Sequence, residues 1–370
     1  MLMDNFGVVA KGIVCPVIRE GDDLVKVIVD NLLEATAVDY GQMSYGGAAH
    51  IPGEKLNYKK DILCVTESVV ARSAGLYVTV DEIAENVRKI FGEDCEIAVL
   101  DPIYSRNRFS MILKGIARAA KMIYMRTPDF DEVGNPCGVN RFTGVNIIEY
   151  YREICKSENC GFKTFGSISG WCDGVIYCGL HDYDRWRLEH NPPIKMKGEA
   201  PNITLADICS DKNPDFGLLG SNKATEEKLK LFPTRALAND VCKRIKDEIY
   251  KRVHKNVIVC CYGDGCFKDP VGGIWEFADP ITMPGYTDAD IIESTPNEIK
   301  FKAFIDESKD NEELAKNIAE AKKEANLVGK MDSMGTTPRI YRDLIASLCD
   351  LISGSGNRQT PAVLLQGYFD

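Results

Sequence analysis

The chain lacks any apolar run approaching the roughly 18–20 residues that a bilayer-crossing helix needs. It also lacks a surplus of positive charge. Its 45 Lys and Arg face 55 Asp and Glu, for a net charge of −10. That balance argues against nucleic acid or an anionic membrane as the main partner. The opening MLMDNFGVVAKG holds an early Asp4 and no long apolar stretch, so no secretory signal is expected. There is no internal repeat and no low-complexity segment. H-E-x-x-H, G-x-S-x-G and a G-x-G-x-x-G placed after a strand are all missing. A zinc protease, a serine hydrolase and a Rossmann-type dehydrogenase therefore have no positive support.

The 370 residues, 45% hydrophobic and 27% charged, are enough for two domains or one elaborated domain with a real core. Fourteen cysteines in a long chain without an export signal point to a reducing cytosol rather than to a disulfide framework. Cys64, Cys242, Cys260 and Cys349 sit inside apolar-periodic segments, as expected of thiols used as small core residues.

Residues 24–35 predict an amphipathic helix with Asp22 and Asp23 at its positive end. DILCV (61–65) predicts a strand. Thr79 and Glu82 form a capping-box pattern ahead of a helix carrying Ile83, Val87 and Ile90. Residues 109–125 predict a helical stretch interrupted by Gly115. Residues 126–222 hold six prolines, many glycines and five cysteines from Cys137 to Cys178. They predict an irregular insertion rather than a regular βα alternation. Pro233 and Thr234 open a long helix whose inner face is Ala238, Val241, Ile245, Ile249 and Val253. NVIVCCY (256–262) follows as a strand ending at Gly263-Asp264-Gly265. Residues 310–327 predict a charged helix. Thr337, Pro338 and Gly354 frame a last helix with a core face of Ile340, Leu344, Leu348 and Leu351, and PAVLLQG (361–367) closes the chain as a strand.

Three places have the composition of a site. Asp264 lies just past a buried strand, where α/β proteins bind ligands; a plain turn residue is the alternative. GLLGSNK (217–223) is a small, polar, glycine-spaced loop suited to phosphate, though without P-loop spacing; helix capping is the alternative. Cys155, Cys160, Cys172 and Cys178, with His181 nearby, suggest a metal or iron–sulfur site. Their spacings exceed the usual zinc knuckle, and free thiols are the alternative.

Taken in order, these segments resemble the coenzyme F420-0:L-glutamate ligase (γ-glutamyl ligase) family. CPVIREGDDL (15–24) is similar to its G-I-P-L-I-K-x-G-D-D-L opening. DILCVTESVVARSAG (61–75) is similar to D-x-x-V-V-x-x-K-x-V-S-K-A-E-G. Residues 217–222 resemble G-V-D-x-S-N, and the strand ending at Asp264 resembles one ending in S-D-T-F-G-R-P. Arg342 to Ala346 and Pro361 to Gly367 resemble A-D-x-L-A and P-V-V-V-x-R-G. The match covers about 60% of the chain and leaves residues 126–210 and much of 270–335 without a counterpart.

The resemblance implies an α+β fold, a mixed sheet with flanking helices and an irregular Cys-rich insertion. It divides the chain into a nucleotide-binding part (1–125), an insertion or subdomain (126–210) and a part carrying the metal and phosphate loop (211–370). It implies a cytoplasmic homodimer in which GTP, or ATP, activates a carboxylate as an acyl phosphate for attack by L-glutamate. Mg2+ or Mn2+ would hold the phosphates. Cys15, Pro16, Val17 and Ile18 would line the nucleotide, and Glu67, Ser68, Arg72 and Asn222 would contact it. Asp264 would serve as a metal-binding, catalytic carboxylate. The family's loop Asp aligns with Leu219, which binds no cation, and Asp215 is the nearby substitute. That departure keeps two further readings open. One is a degenerate relative that binds a nucleotide or a protein partner; the other is a Cys-rich redox or iron–sulfur protein.

Overall fold

The computed structural model of the chain describes residues 7–40, 49–56, 61–100, 108–126, 138–139, 144–165, 171–178, 195–219, 222–263, 267–268, 275–276, 281–294, 301–321, 340–353 and 359–369. Strand β1 (Val9–Ile13) leads to helix α1 (Leu24–Ala35), which is capped where the acidic pair predicts. The Asp23 carboxylate accepts the Lys26 N–H at 3.1 Å. The antiparallel pair β2 (Val38–Tyr40) and β3 (Ala49–Ile51) precedes β4 (Ile62–Thr66), which runs directly into α2 (Glu67–Ser73). Then come β5 (Tyr77–Thr79), α3 (Val80–Phe91), β6 (Cys95–Leu100), α4 (Arg108–Ala119), β7 (Ala120–Arg126), α5 (Ile147–Ser157) and β8 (Gly161–Phe165). The short strands β9 (Trp171–Cys172), β10 (Gly174–Tyr177), β11 (Lys195–Met196) and β12 (Asn202–Thr204) follow. A hairpin of β13 (Asn222–Thr225) and β14 (Lys228–Lys230) leads to the long helix α6 (Arg235–Val253) and to β15 (Ile258–Tyr262). Beyond it lie β16 (Phe267–Lys268), β17 (Trp275–Glu276), β18 (Gly285–Tyr286), α7 (Ala289–Ile292), α8 (Phe301–Glu307), α9 (Asn311–Ala321), α10 (Tyr341–Ser353) and β19 (Ala362–Gln366).

The first large sheet has the order β1-β19-β4-β15-β18. It is mixed: β4 and β15 are parallel and the other pairings antiparallel. Its three inner strands are apolar on both faces because helices cover both. Leu63, Val65, Val259, Cys261 and Leu364 enter one core with α1 and α6. Their neighbours Ile62, Cys64, Ile258, Cys260, Val363 and Leu365 enter another, with α10. A strand buried on both sides has no polar face, so continuous apolar runs mark all three. The α+β architecture with a mixed, helix-flanked sheet stands as the sequence predicts.

The stretch expected to be irregular corrects that expectation. It supplies β8, β10 and β12 to a second sheet, order β12-β10-β6-β7-β8, in which every pairing is parallel. The strands of that sheet come from both sides of residue 126. They escape detection because they are four or five residues long or shorter and sit between glycines and prolines. Within GVIY (174–177) every residue is buried, so no alternation announces a strand. Helices α3, α4 and α5 pack on one face of this sheet around Val87, Ile112, Ile116, Ile123 and Tyr151.

Three smaller corrections follow. The helical stretch expected over 109–125 ends at Ala119, and residues 120–126 form β7 instead. Gly115 does not break α4. A Cβ there would lie 2.4 Å from Ile83 Cγ2, so the glycine lets α4 approach α3. In α10 the buried residues are Ile345, Ala346 and Cys349, whereas Leu351 is 59% exposed. The helix is apolar around much of its circumference, and packing chose a face rotated from the expected one. Thr337, Pro338 and Gly354, and the charged helix beyond residue 321, lie outside the described residues.

Candidate functional site

Register places the ends of three strands side by side. Ile13 pairs with Ala362, Ala362 with Val65, and Val65 with Cys261. Strands β1, β4 and β15 therefore point the same way and end at one edge of the sheet. Residues 14–18, 66–68 and 263 leave from that edge, the side on which parallel strands build ligand sites. The Thr66 N–H donates to Pro361 O at 2.9 Å, and the Thr66 hydroxyl accepts the Ser68 N–H at 3.3 Å to cap α2.

Cys15 and Ile18 are buried, while Pro16 and Val17 are exposed. The Cys15 N–H donates to Gln359 O at 2.9 Å. Burial pushes its thiol up to about 11, so Cys15 stays protonated near neutrality and behaves as a core atom. The segment is tied to α2 farther on, where the Gly21 N–H donates to Ser73 O at 3.0 Å. Glu67 and Ser68 lie in the first turn of α2. Arg72 is exposed in its last turn, one turn beyond Ser68 on the same side of α2.

The structure gathers Glu67, Ser68 and Asn222 around a residue that the sequence reading missed, Lys230. Strands β13, β14 and β5 form an antiparallel ribbon. Its inner side carries Val78 and Leu229 into the core of the second sheet. Residues directly opposite one another in antiparallel strands share a face, with Cβ atoms about 4.5–5.5 Å apart. Asn222 opposes Lys230, and Lys230 opposes Tyr77, so the outer side is polar. Lys228, two residues from Lys230, sits there with its ammonium 4.0 Å from the Tyr77 ring centre. Helix α2 lies over Lys230. Its ammonium donates a hydrogen bond to Ser68 Oγ and is 3.6 Å from Glu67 Oε1, the two side chains being 7% and 3% exposed. Only the pattern of a strand with two lysines at i and i+2 was visible beforehand, and that reads as a solvated face.

In the described part of the loop after β12, Leu219 turns inward where the family's Asp would stand. Leu218 is fully buried, and Leu219 packs against the cores formed by Phe216 and by the second sheet. Asp215 is exposed, and its Oδ2 accepts the Arg235 N–H at 2.6 Å, which commits the carboxylate to the start of α6. Gly217 has a φ of +52°, and a Cβ on it would lie 2.3 Å from Ala206 O; the glycine serves chain packing. Gly220, Ser221 and Asp264 lie outside the described residues. Among the described residues, no three or more His, Cys, Asp or Glu side chains form a group that would hold a metal ion.

The cysteines behave as core residues. Twelve of the fourteen lie in described segments, and all twelve are buried and outside any disulfide. Cys155, Cys160 and Cys178 point into one core of the second sheet, whereas Cys172 enters the core on its other face. The four therefore do not converge. His181 lies outside the described residues.

Residues 12–367 match the sequence model of F420-0:Gamma-glutamyl ligase, nearly the full length of the chain. No curated protein matches it.

Proposed function

The chain belongs to the F420-0:gamma-glutamyl ligase family, and from that membership we propose a nucleotide- and divalent-metal-dependent ligase that joins L-glutamate to a carboxylate-bearing acceptor. The acceptor is coenzyme F420-0 or another molecule of that chemistry. An acceptor carboxylate oxygen attacks the γ-phosphorus of GTP, or of ATP, and the bond to the nucleoside diphosphate breaks. The glutamate amine then attacks the acyl carbon of the resulting acyl phosphate, and inorganic phosphate leaves. Catalysis of this kind rests on positioning and charge neutralisation.

The observation that supports this reading is the shared edge of β1, β4 and β15. Three family-like segments far apart in sequence leave the sheet there. In the proposal Cys15, Pro16, Val17 and Ile18 meet the nucleotide through backbone groups. Glu67, Ser68 and Asn222 contact it around Lys230, and Arg72 supplies positive charge one turn farther along α2. Asp264, which follows Gly263 at the end of β15, is the carboxylate for Mg2+ or Mn2+. Because Leu219 stands where the family's Asp would, no step is routed through a second ion at that loop. The working assembly is a cytoplasmic homodimer.

Replacing Asp264 with Ala should abolish glutamate-dependent release of phosphate from GTP, measured with the acceptor present. Full activity in that variant would sink the ligase reading. A second reading, a relative that binds nucleotide without turning it over, is favoured by Leu219. It predicts nucleotide binding by the wild-type chain with no phosphate release in any acceptor and glutamate mixture.

A further inference from the structure

Helix α5 ends in a turn that brings two cysteines together. Asn159 takes the left-handed conformation, with a φ of +60°. The Cys160 N–H donates to Cys155 O at 2.9 Å, and the Asn159 N–H donates to Lys156 O at 3.1 Å. That pair of bonds is the Schellman closure, which sets the side chain just past a helix against one in its last turn. An apolar contact is the usual result. Here both side chains are thiols, and they hydrogen-bond to one another.

The two thiols are not equivalent. The Cys155 S–H donates to Cys160, and the Ile123 N–H also meets the Cys160 sulfur. The Cys155 bond holds the Cys160 thiol below its ordinary value, against the opposing effect of burial. The same bond pushes Cys155 up. Cys160 leads into β8, the outermost strand of its sheet, and keeps 5% of its surface exposed, whereas Cys155 keeps none. Cys64 and Cys260 offer an internal comparison. They also meet as a thiol pair, across β4 and β15. Both are fully buried on inner strands, and burial pushes both thiols up.

We propose that Cys160 is a modification site for hydroperoxides, and that Cys155 resolves the product by closing a reversible disulfide at the end of α5. The Cys160 thiolate attacks one peroxide oxygen, the O–O bond breaks, and hydroxide or alkoxide leaves. The sulfur is oxidised to a sulfenic acid and the peroxide is reduced. The Cys155 sulfur then attacks the Cys160 sulfur, the S–OH bond breaks, and the hydroxyl leaves as water with the Cys155 proton. Exchange with small thiols reverses the bridge. None of this depends on the ligase reading.

The test treats the full reduced chain with hydrogen peroxide, then unfolds it, alkylates the remaining thiols and maps the peptides by mass. Lys156 lies between the two cysteines, so trypsin leaves them on separate peptides and a bridge appears as a linked pair. Cys155 and Cys160 should be lost to alkylation about tenfold faster than Cys64 and Cys260, or more, because the thiolate is the nucleophile. The linked pair should disappear with dithiothreitol. In Cys155→Ser, dimedone should trap a sulfenic acid on Cys160. In Cys160→Ser, Cys155 should become as slow as Cys260. A melting transition checks that each variant folds, and the wild-type map stands without them. Equal rates for all four cysteines, a bridge from Cys160 to any other cysteine, or unchanged loss of Cys155 in Cys160→Ser would overturn the proposal.

Discussion

Single side chains decide more here than their types suggest. Gly217 looked like a phosphate-loop glycine. Its positive φ and the 2.3 Å approach of Ala206 O make it a packing requirement instead. A Cβ there meets a backbone carbonyl, which no rotamer change can relieve. Gly217→Ala should therefore cost about 2–4 kcal/mol, adding left-handed strain to overpacking. A urea titration reads this as a lowered midpoint with an unchanged slope; an unshifted midpoint would contradict it. Lys230 is the opposite case. In sequence it is one of two lysines on a short strand, and nothing local says that a helix folded 162 residues earlier will cover it. Glu67, Ser68 and Asn222 were legible only because their segments resemble a family. Their meeting point was not, because it depends on how β14 crosses α2.

Among the secondary-structure units, the β13–β14 hairpin is held from behind by an ion-pair network. Arg118 of α4 donates two bonds to Glu158, at 2.8 and 3.0 Å, and one to Glu227 at 2.9 Å. Lys114 donates to Glu226 O at 3.1 Å and to the Glu227 carboxylate. The Arg118 bond, then the Lys114 bond, hold the Glu227 carboxyl below the usual carboxylate range. A carboxyl lowered by folding adds stability above its unfolded value, about 4.3. That contribution is lost as pH falls through the folded value. Arg118→Met should cost about 1–3 kcal/mol at pH 7, most of it from the half-buried Glu158 bonds, since exposed Glu227 is screened. The gap between wild type and variant should narrow by the smaller, Glu227 share as pH drops from 5 toward 3 in urea unfolding; a gap that stays constant would remove Glu227 from the account. The capping box at Thr79 and Glu82 was readable because both partners lie within one turn, and it forms with the Thr79 N–H donating to Glu82 at 2.7 Å. The α10 face was not readable. Apolar residues occupy several stripes, and only the sheet it packs on selects Ile345 and Cys349.

Ligand binding should register in the stability of the entire chain. At about 100 times its dissociation constant a ligand adds roughly 2.7 kcal/mol. The melting temperature should therefore rise with GTP, and rise further with Mn2+ if Asp264 holds an ion. No rise with any nucleotide would leave only the scaffold of the family. The sequence alone determined the elements with strong local signals: α1, α3, α6 and the buried strands β4, β15 and β19. It also determined their family order, because periodicity, capping and apolar runs act over a few residues. Tertiary structure decided the rest. It turned a stretch read as irregular into a parallel sheet, since short strands buried on both faces carry no alternation. It placed thiols of one apparent cluster on opposite faces of that sheet. It also brought Lys230 under α2, beside Ser68 and Glu67, through contacts whose energies come from burial and charge between segments distant along the chain.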